Sequence, residues 1–401
     1  MASIRKIIKK TTLSLIALLL ALQVPFIYRR YELGRIASAV AEGDRHRTVR
    51  TDAGFDEYKG IIHAHTRLGG HSTGSFDELI SGAKEAGVDF VVMTEHWSDD
   101  YDTSALTLNG NFGGTLFVGG NEIDTADSDR LLMLPGGAEA ASLRRLSTDN
   151  VLEKLHAEGR LGMITYPEKF RSWGSDFDGI EVFNLHTAAK QMNWFTAFFD
   201  IIWSGRAYPE LTFAQYFRRP EADLQRFDAS AAQRPRVLFA GTDAHSNLGI
   251  HILGDDAGHK WLSLKADPYR ASFSAMRVHL LVPKGTQLTR ESLMAAIGAG
   301  RSFVGIDCFG DTTGFSFTAG DRTLGDELRY SEGMSLDAAV PLPAKIAVMK
   351  DGALFAEFDN TAQASVNPDG PGVYRVEVYR TSLGEPFSKM PWILSGPIYL
   401  R

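Results

Sequence analysis

Residues 237–246 read Val-Leu-Phe-Ala-Gly-Thr-Asp-Ala-His-Ser, and this stretch joins a short apolar run to ligand-type side chains. Four apolar residues without polar alternation are typical of a strand that is buried on both faces, as in a parallel sheet. Asp243 and His245 follow directly after the run. Because residues two apart in a strand point to the same side, these two side chains can bind one ion or a neighbouring pair of ions.

Similar apolar runs recur upstream of this stretch. They cover residues 60–62, 90–93, 116–118, 131–134, 163–165 and 180–183. Helix-like segments lie between them, and the first begins at the capping box Ser75-Phe76-Asp77-Glu78 and ends at Gly87. Strands that alternate with helices predict an α/β fold, and seven strands favour a barrel over an open sheet. No Gly-rich loop opens any of these helices, so nothing in the sequence supports nucleotide binding.

Three more polar clusters follow the ends of these runs. They are His63-Ala64-His65-Thr66 with His71 shortly after, Thr94-Glu95-His96, and Gly120-Asn121-Glu122. The carboxyl ends of barrel strands meet at one mouth, so these side chains are expected to converge. An isolated His-x-His is more often structural than a ligand, but burying so many titratable groups without a metal would be costly. The combination predicts a site for Zn²⁺, Mn²⁺ or Fe²⁺ without thiolate ligands.

The order of these motifs resembles the polymerase and histidinol phosphatase (PHP) family, over residues 58–246. The resemblance implies a distorted seven-stranded (β/α) barrel of the TIM type that hydrolyses phosphate esters with two or three metal ions. It implies a first ion held by His63, His65, Glu122 and Asp243, and a second held by His71, His96 and His245.

Some positions depart from the family's pattern. Glu95 stands where the family has Asp, and two histidines expected at a third metal site are replaced in Asp129-Arg130-Leu131 and Tyr166-Pro167. Glu181, Asn184 and His186 could substitute as ligands or orient a neighbouring residue. The resemblance therefore predicts two ions and leaves the third open.

The implied mechanism is attack on phosphorus by a hydroxide held at the first ion, while the second ion binds a non-bridging oxygen. The residues assigned catalytic roles are Glu122, Asp243, His245 and Glu95. Glu95 is expected to orient His96 or another ligand.

Lys169 and Arg171 follow the end of the run at 163–165 and are candidates for binding the substrate phosphate. The alternative is that they are solvated loop charges. Two other functions stay open: a metal-dependent hydrolase acting on an amide or lactone, and a membrane-tethered metal-binding scaffold without turnover.

The amino terminus predicts a membrane anchor. Basic residues at positions 5, 6, 9 and 10 precede an uncharged, mostly apolar run over 11–28, which Arg29 and Arg30 close. Eighteen residues are near the lower limit for a spanning helix. A cleaved signal peptide is the alternative, although the small-residue sites at 37–41 lie well beyond the run. The excess of basic residues before the run favours a body outside the cytoplasm, periplasmic or extracellular.

Four segments are predicted: an anchor over 1–30, a linker over 31–55, the metal-dependent hydrolase barrel over 56–305 and an accessory domain over 306–401. The last has no His and contains short strands and hairpin signals such as Asp351-Gly352, which predict a small β-sandwich. The segment 187–217 is rich in Trp, Phe and Tyr. It is interpreted as a buried helix with its connection, or alternatively as a lid or wall of the site.

The composition limits the remaining possibilities. The 401 residues suggest two domains, and 44% hydrophobic with 23% charged residues excludes a wholly disordered chain. The net charge of −7 argues against non-specific nucleic-acid binding. Cys308 is the only cysteine, which excludes an internal disulfide and a Cys-rich zinc site. The expected partners are a small phosphorylated substrate and, through the N-terminal helix, a membrane.

Overall fold

A computed structural model describes residues 2–49, 54–246, 249–254, 260–265 and 268–401. The helices are α1 (Ala2–Ala21), α2 (Val24–His46), α3 (Phe76–Ala86), α4 (Thr103–Leu106), α5 (Ala140–Leu143), α6 (Thr148–Ala157), α7 (Leu185–Lys190), α8 (Trp194–Ser204), α9 (Pro209–Ala214), α10 (Glu221–Ala231), α11 (Tyr269–Ala275) and α12 (Arg290–Gly298). The strands before residue 300 are β1 (Phe55–Ala64), β2 (Phe90–His96), β3 (Gly110–Phe112), β4 (Thr115–Asp124), β5 (Arg130–Leu134), β6 (Leu161–Ile164), β7 (Gly179–Asn184), β8 (Val237–Gly241), β9 (Gly249–Gly254), β10 (Lys260–Lys265) and β11 (Arg277–Pro283). The later strands are β12 (Ser302–Gly305), β13 (Ser316–Thr318), β14 (Glu327–Leu328), β15 (Leu336–Lys350), β16 (Ala353–Val366), β17 (Gly372–Tyr379), β18 (Ile393–Ser395) and β19 (Ile398–Leu400).

A curled sheet of mixed direction carries the site. Its strands pair in the order β1, β2, β4, β5, β6, β7, β8. A parallel bridge from Ala64 to Ala244 brings the chain after β8 back beside the end of β1. The seven apolar runs are buried in these strands, as the sequence predicts. The mixed α/β class is therefore confirmed.

Strand β5 departs from the parallel pattern that its apolar run predicts, because it lies antiparallel to both β4 and β6. The connection from β4 to β5 covers only residues 125–129, which is too short for the helical crossover that a parallel pair needs. The sheet also continues past β1, where β11 and then β12 add antiparallel strands. A simple (β/α)7 repeat is thus not what the described strands form.

Helix α3 begins and ends at the residues that the sequence predicts. The Ser75 side chain accepts from the Glu78 backbone, and the Glu78 carboxylate accepts from the Ser75 N–H, so the capping box that begins α3 is present. Gly87 ends this helix with φ of 62°, a left-handed conformation that favours glycine. This helix packs against β1 and β2 through Leu79 and Ala83, which are fully buried.

The carboxy-terminal strands form a largely antiparallel sheet, in which β14 and β19 pair parallel, and the predicted sandwich is not confirmed. Strand β15 pairs with β16 on one edge and with β13 and β17 on the other. Strand β18 pairs with both β17 and β12, so this sheet continues into the sheet that carries the site. The predicted hairpin turn is present, since Asp351 and Gly352 both have positive φ between β15 and β16.

Two ion pairs join this sheet to α10 and to the connection before it. Arg375 forms a two-pronged pair with Asp228, with both N–O distances at 2.7 Å, and Arg219 binds Glu377 in the same way at 2.7–2.8 Å. Bidentate geometry of this kind fixes relative orientation as well as distance. The predicted boundary near residue 306 stays a prediction.

The segment Ile4–His46 is long and apolar enough to cross a membrane, with a mean hydropathy of 1.9 over its most apolar window, of which 6% is buried. The predicted linker over 31–55 begins inside α2, where Leu33 and Ile36 are buried in the main core. Residues 50–53 of that linker lie outside the described residues.

The interpretation of 187–217 as a buried helix is wrong for α8. Phe195, Phe198 and Ile202 are 72%, 54% and 60% exposed. The alternative, a wall of the site, applies to α7, since His186 and Ala189 line a small cavity together with Asp243 and His245.

Candidate metal centre

The chain makes three unusual backbone turns where strands meet the site. His63, Tyr166 and Asp243 have φ of 73°, 51° and 48°, in the left-handed region that residues with side chains seldom adopt. His63 interrupts β1, and the pairing with β2 shifts register between Ile62 and Ala64. Strain of this kind persists only where the surroundings hold it, and it is concentrated at functional sites.

Four of the predicted ligands converge in one buried cluster. Their ligand atoms all lie within 4.8 Å of one another. The cluster consists of His63, His65, Glu122 and Asp243. The Nε2 atom of His65 lies 3.2 Å from Glu122 Oε2 and 3.3 Å from Asp243 Oδ1, and the corresponding distances from His63 Nε2 are 3.5 and 3.4 Å. The strand ends therefore bring together the first ligand set that the resemblance implies.

The cluster contains buried polar atoms that have no hydrogen-bond partner. They are both ring nitrogens of His65, Nε2 of His63, Oε2 of Glu122 and Oδ1 of Asp243. All four side chains are at most 1% exposed. Orphaned polar atoms at this depth are costly, and a divalent cation bound between them would satisfy one nitrogen of each imidazole together with the two oxygens.

The acid–base state of the cluster also fits a cation. Burial alone would lower the pKa of His63, but Glu181, Asp243 and Glu122 outweigh it and raise this pKa well above 6.5. The same carboxylates raise the pKa of His65 to about 9, against the effect of its burial. Burial would raise the pKa of Glu122 and Asp243, yet the neighbouring imidazoles hold both pKa values below their usual range. The carboxylates of Glu122 and Asp243 are thus stabilised by neighbouring positive charge, which protons on the imidazoles or a metal ion can supply.

A second group of ligand-type atoms adjoins the first. His65, His96 and His245 lie with their ligand atoms within 4.8 Å of one another, and the His65 ring stacks on the other two at 4.8 and 4.5 Å. Burial lowers the pKa of His96 to about 3 and that of His245 to about 4, so both rings are neutral, as metal ligands must be.

The second predicted ligand set differs in one member. The structure places His65 in the group with His96 and His245, whereas His71 is an exposed residue whose ring centroid lies 4.8 Å from that of His96. His71 therefore lies at the outer edge of the site beside His96, and its ligation stays a prediction.

A third group contains a residue from α7. His186 lies within 4.8 Å of Asp243 and His245, measured between ligand atoms. Its ring is 5.1 Å from that of His245, and burial lowers its pKa. Asn184 of β7 donates to Glu181 Oε2 at 3.0 Å and lies 3.5 Å from Asp243 Oδ2. Of the three candidates for a substitute third site, only His186 belongs to such a group.

Glu181 orients His63 from the opposite side of the ring. The Nδ1 atom of His63 donates to Glu181 Oε1 at 2.7 Å, which leaves Nε2 to face Glu122 and Asp243. Gly241 permits this contact, because a Cβ there would overlap Oε1 of Glu181. Carboxylates that hold the far nitrogen of a ligating imidazole fix its tautomer and raise its basicity.

Comparison with known proteins adds the following. No protein-family model matches the chain, and no curated protein matches it. The solved structures that are similar include the following three. PsfC from Pseudomonas syringae PB-5123 has a TM-score of 0.39 and 14% identity, over 61% of this chain and 90% of that one. A two-domain protein from Bacteroides vulgatus ATCC 8482, containing a predicted PHP-like metal-dependent phosphoesterase, has a TM-score of 0.39 and 12% identity over 87% of this chain and 98% of that one. Endonuclease Q, in complex with a duplex bearing an abasic lesion, has a TM-score of 0.35 and 12% identity over 60% of this chain and 56% of that one.

The two-domain protein is described as containing a predicted PHP-like phosphoesterase, and PHP is the family that the sequence motifs resemble.

Glu95 supports the loop that follows His65 and, within the described residues, does not bind His96. Its carboxylate accepts from the Thr66 N–H and hydroxyl, from the Gly69 N–H and from the Thr107 hydroxyl, over 2.6–3.2 Å. None of the hydrogen bonds of this carboxylate goes to His96 in the described part of the chain. Glu95 therefore positions the segment that carries His65. It does not belong to any of the three groups of ligand atoms.

Two residues at positions where the family's pattern has histidine contact the cluster instead. The Tyr166 hydroxyl donates to Asp243 Oδ2 at 2.6 Å. Arg130 donates to Asp124 at 2.7 Å and lies 3.4 Å from Glu122 Oε1, with its guanidinium over the Tyr166 ring at 5.4 Å. In the sequence both positions stand out only as departures from the family's pattern. Their polar groups at strand ends were the available signal.

Of the two residues predicted to bind the substrate phosphate, Lys169 lies near the cluster and Arg171 does not. The Lys169 ammonium lies 5.0 Å from the centroid of the Tyr166 ring, at the rim of the cluster. The Arg171 backbone N–H donates to Asp129 at 2.6 Å, and its exposed side chain makes no contact with the ligand-type residues in the described structure. Lys169 and Arg130 therefore flank the same aromatic ring.

Proposed function

We propose that this chain is a metal-dependent phosphoesterase that hydrolyses a phosphate ester at a centre of two divalent cations, or three if His186 completes a further site. The observation that carries the proposal is the set of buried, partnerless atoms shared by His63, His65, Glu122 and Asp243. Imidazole and carboxylate donors in this number suit Zn²⁺, Mn²⁺ or Fe²⁺. When bound, such ions supply Lewis acidity toward a phosphoryl oxygen and a nucleophilic water at neutral pH.

The residues of the chain have distinct tasks in this proposal. Glu122 and Asp243 each turn one oxygen toward the imidazoles, while Arg130 and Tyr166 hold the other oxygen. This arrangement fixes the direction of both carboxylates before any substrate arrives. Glu181 does the same for His63. Preorganised groups of this kind need little rearrangement during the reaction.

Positive charge beside the cluster favours an anionic substrate. Arg130 and Lys169 both lie against the Tyr166 ring, and their side chains reach the solvent-exposed rim. A guanidinium and an ammonium are suited to phosphate oxygens. An amide or lactone offers no anionic oxygens to these cations, so they favour the phosphoesterase over the amidohydrolase-like alternative.

A cleft beside the centre can accept the rest of the substrate. Its volume is about 440 Å³, and its lining includes Asn184, Thr187, Gln191, Tyr216 and Arg218. Asn184 also contacts Asp243, so this cleft adjoins the cluster directly. Its mixture of amide, hydroxyl and guanidinium groups suits a polar leaving group.

The remaining sequence predictions extend this proposal. We interpret the curled sheet as a distorted (β/α)7 barrel in which one of the seven strands, β5, runs antiparallel to its neighbours, and residues 306–401 as an accessory module. Because basic residues precede the apolar run of the N-terminal helix, we place the amino terminus in the cytoplasm and the catalytic body on the other side of the membrane.

The test uses the full chain in detergent, loaded with Mn²⁺ or Zn²⁺, and aryl phosphate monoesters and diesters as substrates. We expect phosphate-ester cleavage that a chelator abolishes. His63→Ala and Asp243→Asn should lower both the bound metal and the turnover by orders of magnitude. His46→Ala, which removes an exposed imidazole from α2, is the matched control and should keep full activity.

Several results would contradict the proposal. Turnover at the wild-type rate in folded His63→Ala or Asp243→Asn would remove these residues from the site. Chelator-sensitive cleavage of carboxylate esters or amides, with none of phosphate esters, would support the amidohydrolase-like alternative. Stoichiometric metal without any turnover would support the scaffold.

A further inference from the structure

Helix α8 has the reverse of the polarity that a surface helix shows in water. Its buried face consists of Ala197, Asp200 and Ser204, which are at most 1% exposed. Its outer face consists of Phe195, Phe198 and Ile202, at the same helical spacing, and each is more than half exposed. A soluble helix turns its large apolar side chains to the core and its polar ones to solvent.

The exposed residues of α8 form a continuous surface. The rings of Phe195 and Phe198 each lie 5.3 Å from that of Phe199, and Trp194 at the start of the helix is 44% exposed. Scattered exposed apolar residues are normal, but a contiguous apolar patch of this kind marks a site that binds a membrane, another protein or an apolar ligand. With Trp194 added to Phe195, Phe198 and Ile202, these four residues are called the outer face of α8 from here on.

This face is continuous with the candidate membrane span. The ring of Phe199 packs against Phe26 of α2 at 4.9 Å, and Trp203 donates through Nε1 to Gln23 Oε1 at 3.0 Å. Gln23 and Phe26 lie in the last turns of the apolar run over 11–28, whose large side chains are largely exposed. Helix α8 therefore lies at the end of the span that is nearer the body.

An ion pair fixes this relationship. Arg29 binds the buried carboxylate of Asp200 at 2.9 Å and the amide oxygen of Gln215 at 2.8 Å. Arg30 binds the Trp203 carbonyl oxygen. These two arginines close the apolar run, and basic residues in that position mark the level at which a spanning helix leaves the hydrocarbon. Helix α8 is held at the same level.

We propose that α8 lies in the interface between headgroups and acyl chains of the bilayer that α1 crosses, with Phe195, Phe198 and Ile202 inserted among the lipids. Helices of this type bury their apolar face about 5–10 Å into that boundary. Trp194 and Trp203 stand at the two ends of α8, and tryptophan is the residue that membrane interfaces enrich most clearly, together with tyrosine. The anchor and α8 together would make two membrane contacts and so fix the orientation of the body on the bilayer.

A lipid occupant is favoured over a protein one by this continuity. The outer face of α8 extends a surface that already belongs to the apolar run, through Phe26 and Phe199. A partner protein that covered α8 would have to displace the lipids that surround the anchor at this level. The proposal does not depend on the reaction that the metal centre performs, so it can fail or succeed separately.

The test measures the surroundings of α8 in the full chain, reconstituted at one copy per lipid nanodisc. Cys308, the only cysteine, is replaced in a Cys308→Ala background, and Phe195→Cys, Phe198→Cys and Ile202→Cys are each labelled with an environment-sensitive fluorophore. Quenching is compared between a lipid with a nitroxide near its headgroup and iodide in the water.

The matched control is Phe112→Cys. Phe112 is also an exposed aromatic residue, at 39%, but it pairs with Thr115 at the start of β4. Glu122 lies near the other end of that strand, so Phe112 is at the side of the sheet away from the metal centre. We expect the lipid quencher to act several-fold more strongly on the three α8 labels than on the control, and iodide to show the opposite order.

Three results would overturn the proposal. Strong iodide quenching of the α8 labels, equal to that of the control, would show a face in water. Protection from both quenchers at one copy per disc would show that α8 packs against another part of the body. Protection that appears only with two copies per disc would show a protein–protein interface. Because all three substituted side chains are exposed, the variants should fold, and unchanged circular dichroism verifies this for each.

Discussion

The Tyr166 hydroxyl donates a hydrogen bond of 2.6 Å to Oδ2 of Asp243, and the other carboxylate oxygen, Oδ1, then faces His63 and His65 at 3.3–3.4 Å. One residue at the end of β6 thus sets the direction of a ligand-type side chain that follows β8. Arg130 stands in the same relation to Glu122. The two carboxylates of the cluster are therefore each held from outside by a donor.

Replacing Tyr166 should weaken metal binding without unfolding the protein. Tyr166→Phe removes the donor to Asp243 but keeps the ring that Arg130 and Lys169 both approach. Loss of a partner behind a ligand typically lowers metal affinity about 10–100-fold. Competition of Mn²⁺ between the protein and a chromophoric chelator measures it.

The control for this variant is Tyr374→Phe, which removes a hydroxyl bound to the Gly370 carbonyl in the carboxy-terminal sheet. Its metal affinity should equal that of the wild type. An unchanged affinity in Tyr166→Phe would show that Asp243 needs no support from the phenol.

Metal binding should release protons and strengthen as the pH rises. Without a cation, neighbouring carboxylates raise the pKa of His65 to about 9 and that of His63 well above its usual value, so both are protonated near neutral pH. Only the neutral imidazole binds a metal, so each displaced proton should raise the apparent affinity about tenfold per pH unit below these pKa values.

Calorimetric titration with Mn²⁺ in buffers of different ionisation enthalpy measures the number of protons released. We expect release of at least one proton at neutral pH when an ion binds to the group of His63 and His65. A pH-independent affinity together with no proton release would contradict this account of the cluster.

Arg130 should contribute to binding of the substrate anion. Arg130→Ala removes a guanidinium that lies 5.4 Å from the Tyr166 ring and 3.4 Å from Glu122. We expect a higher KM for phosphate esters and weaker competitive inhibition by inorganic phosphate, each by about tenfold, since hydrogen bonds to charged groups contribute about 1.5–3 kcal/mol. Arg130→Lys should recover part of the effect, because it restores the charge but not the planar fork.

Arg322→Ala is the control for charge alone, because Arg322 is exposed on a turn next to β13 and its partner is Asp321. Equal inhibition by phosphate in the wild type and Arg130→Ala would remove Arg130 from the substrate site.

A buried histidine away from the centre should make stability depend on pH. His279 lies 2.6 Å from Glu57 and 3.5 Å from Asp307, measured from Nδ1 and Nε2. Burial would lower its pKa, but the two carboxylates outweigh this effect and raise it to about 9. Since the folded pKa exceeds the unfolded value of 6.5, the contribution is complete below that value and is lost as the pH rises through about 9.

Denaturant titrations in detergent at about pH 6 and about pH 9.5 measure the free energy of unfolding. The wild type should lose more stability across this interval than His279→Gln does, whereas exposed His46→Gln should behave as the wild type. An identical loss in His279→Gln and the wild type would show that this histidine does not titrate in the interval.

The sequence by itself determined the features that depend on near neighbours in the chain. Apolar runs predicted the buried strands, Ser75 and Glu78 predicted the start of α3, and Asp351-Gly352 predicted a hairpin turn. It also predicted that His63, His65, Glu122 and Asp243 would meet, because each lies at the end of such a run. These patterns arise from local sterics and from burial with a fixed period, which neighbouring residues suffice to specify.

The tertiary structure decided what depends on the direction of a side chain between distant segments. Tyr166 and Asp243 are 77 positions apart, and their hydrogen bond requires the order of β6, β7 and β8 and a left-handed backbone at both residues. The outward direction of Phe195 and Phe198 on α8 likewise depends on the contacts of Phe26 and Arg29 with other residues of that helix. The periodicity of α8 alone does not predict these contacts. A pattern of apolar residues predicts that a helix face will be buried away from water. Only the packed fold decides whether protein or lipid covers that face.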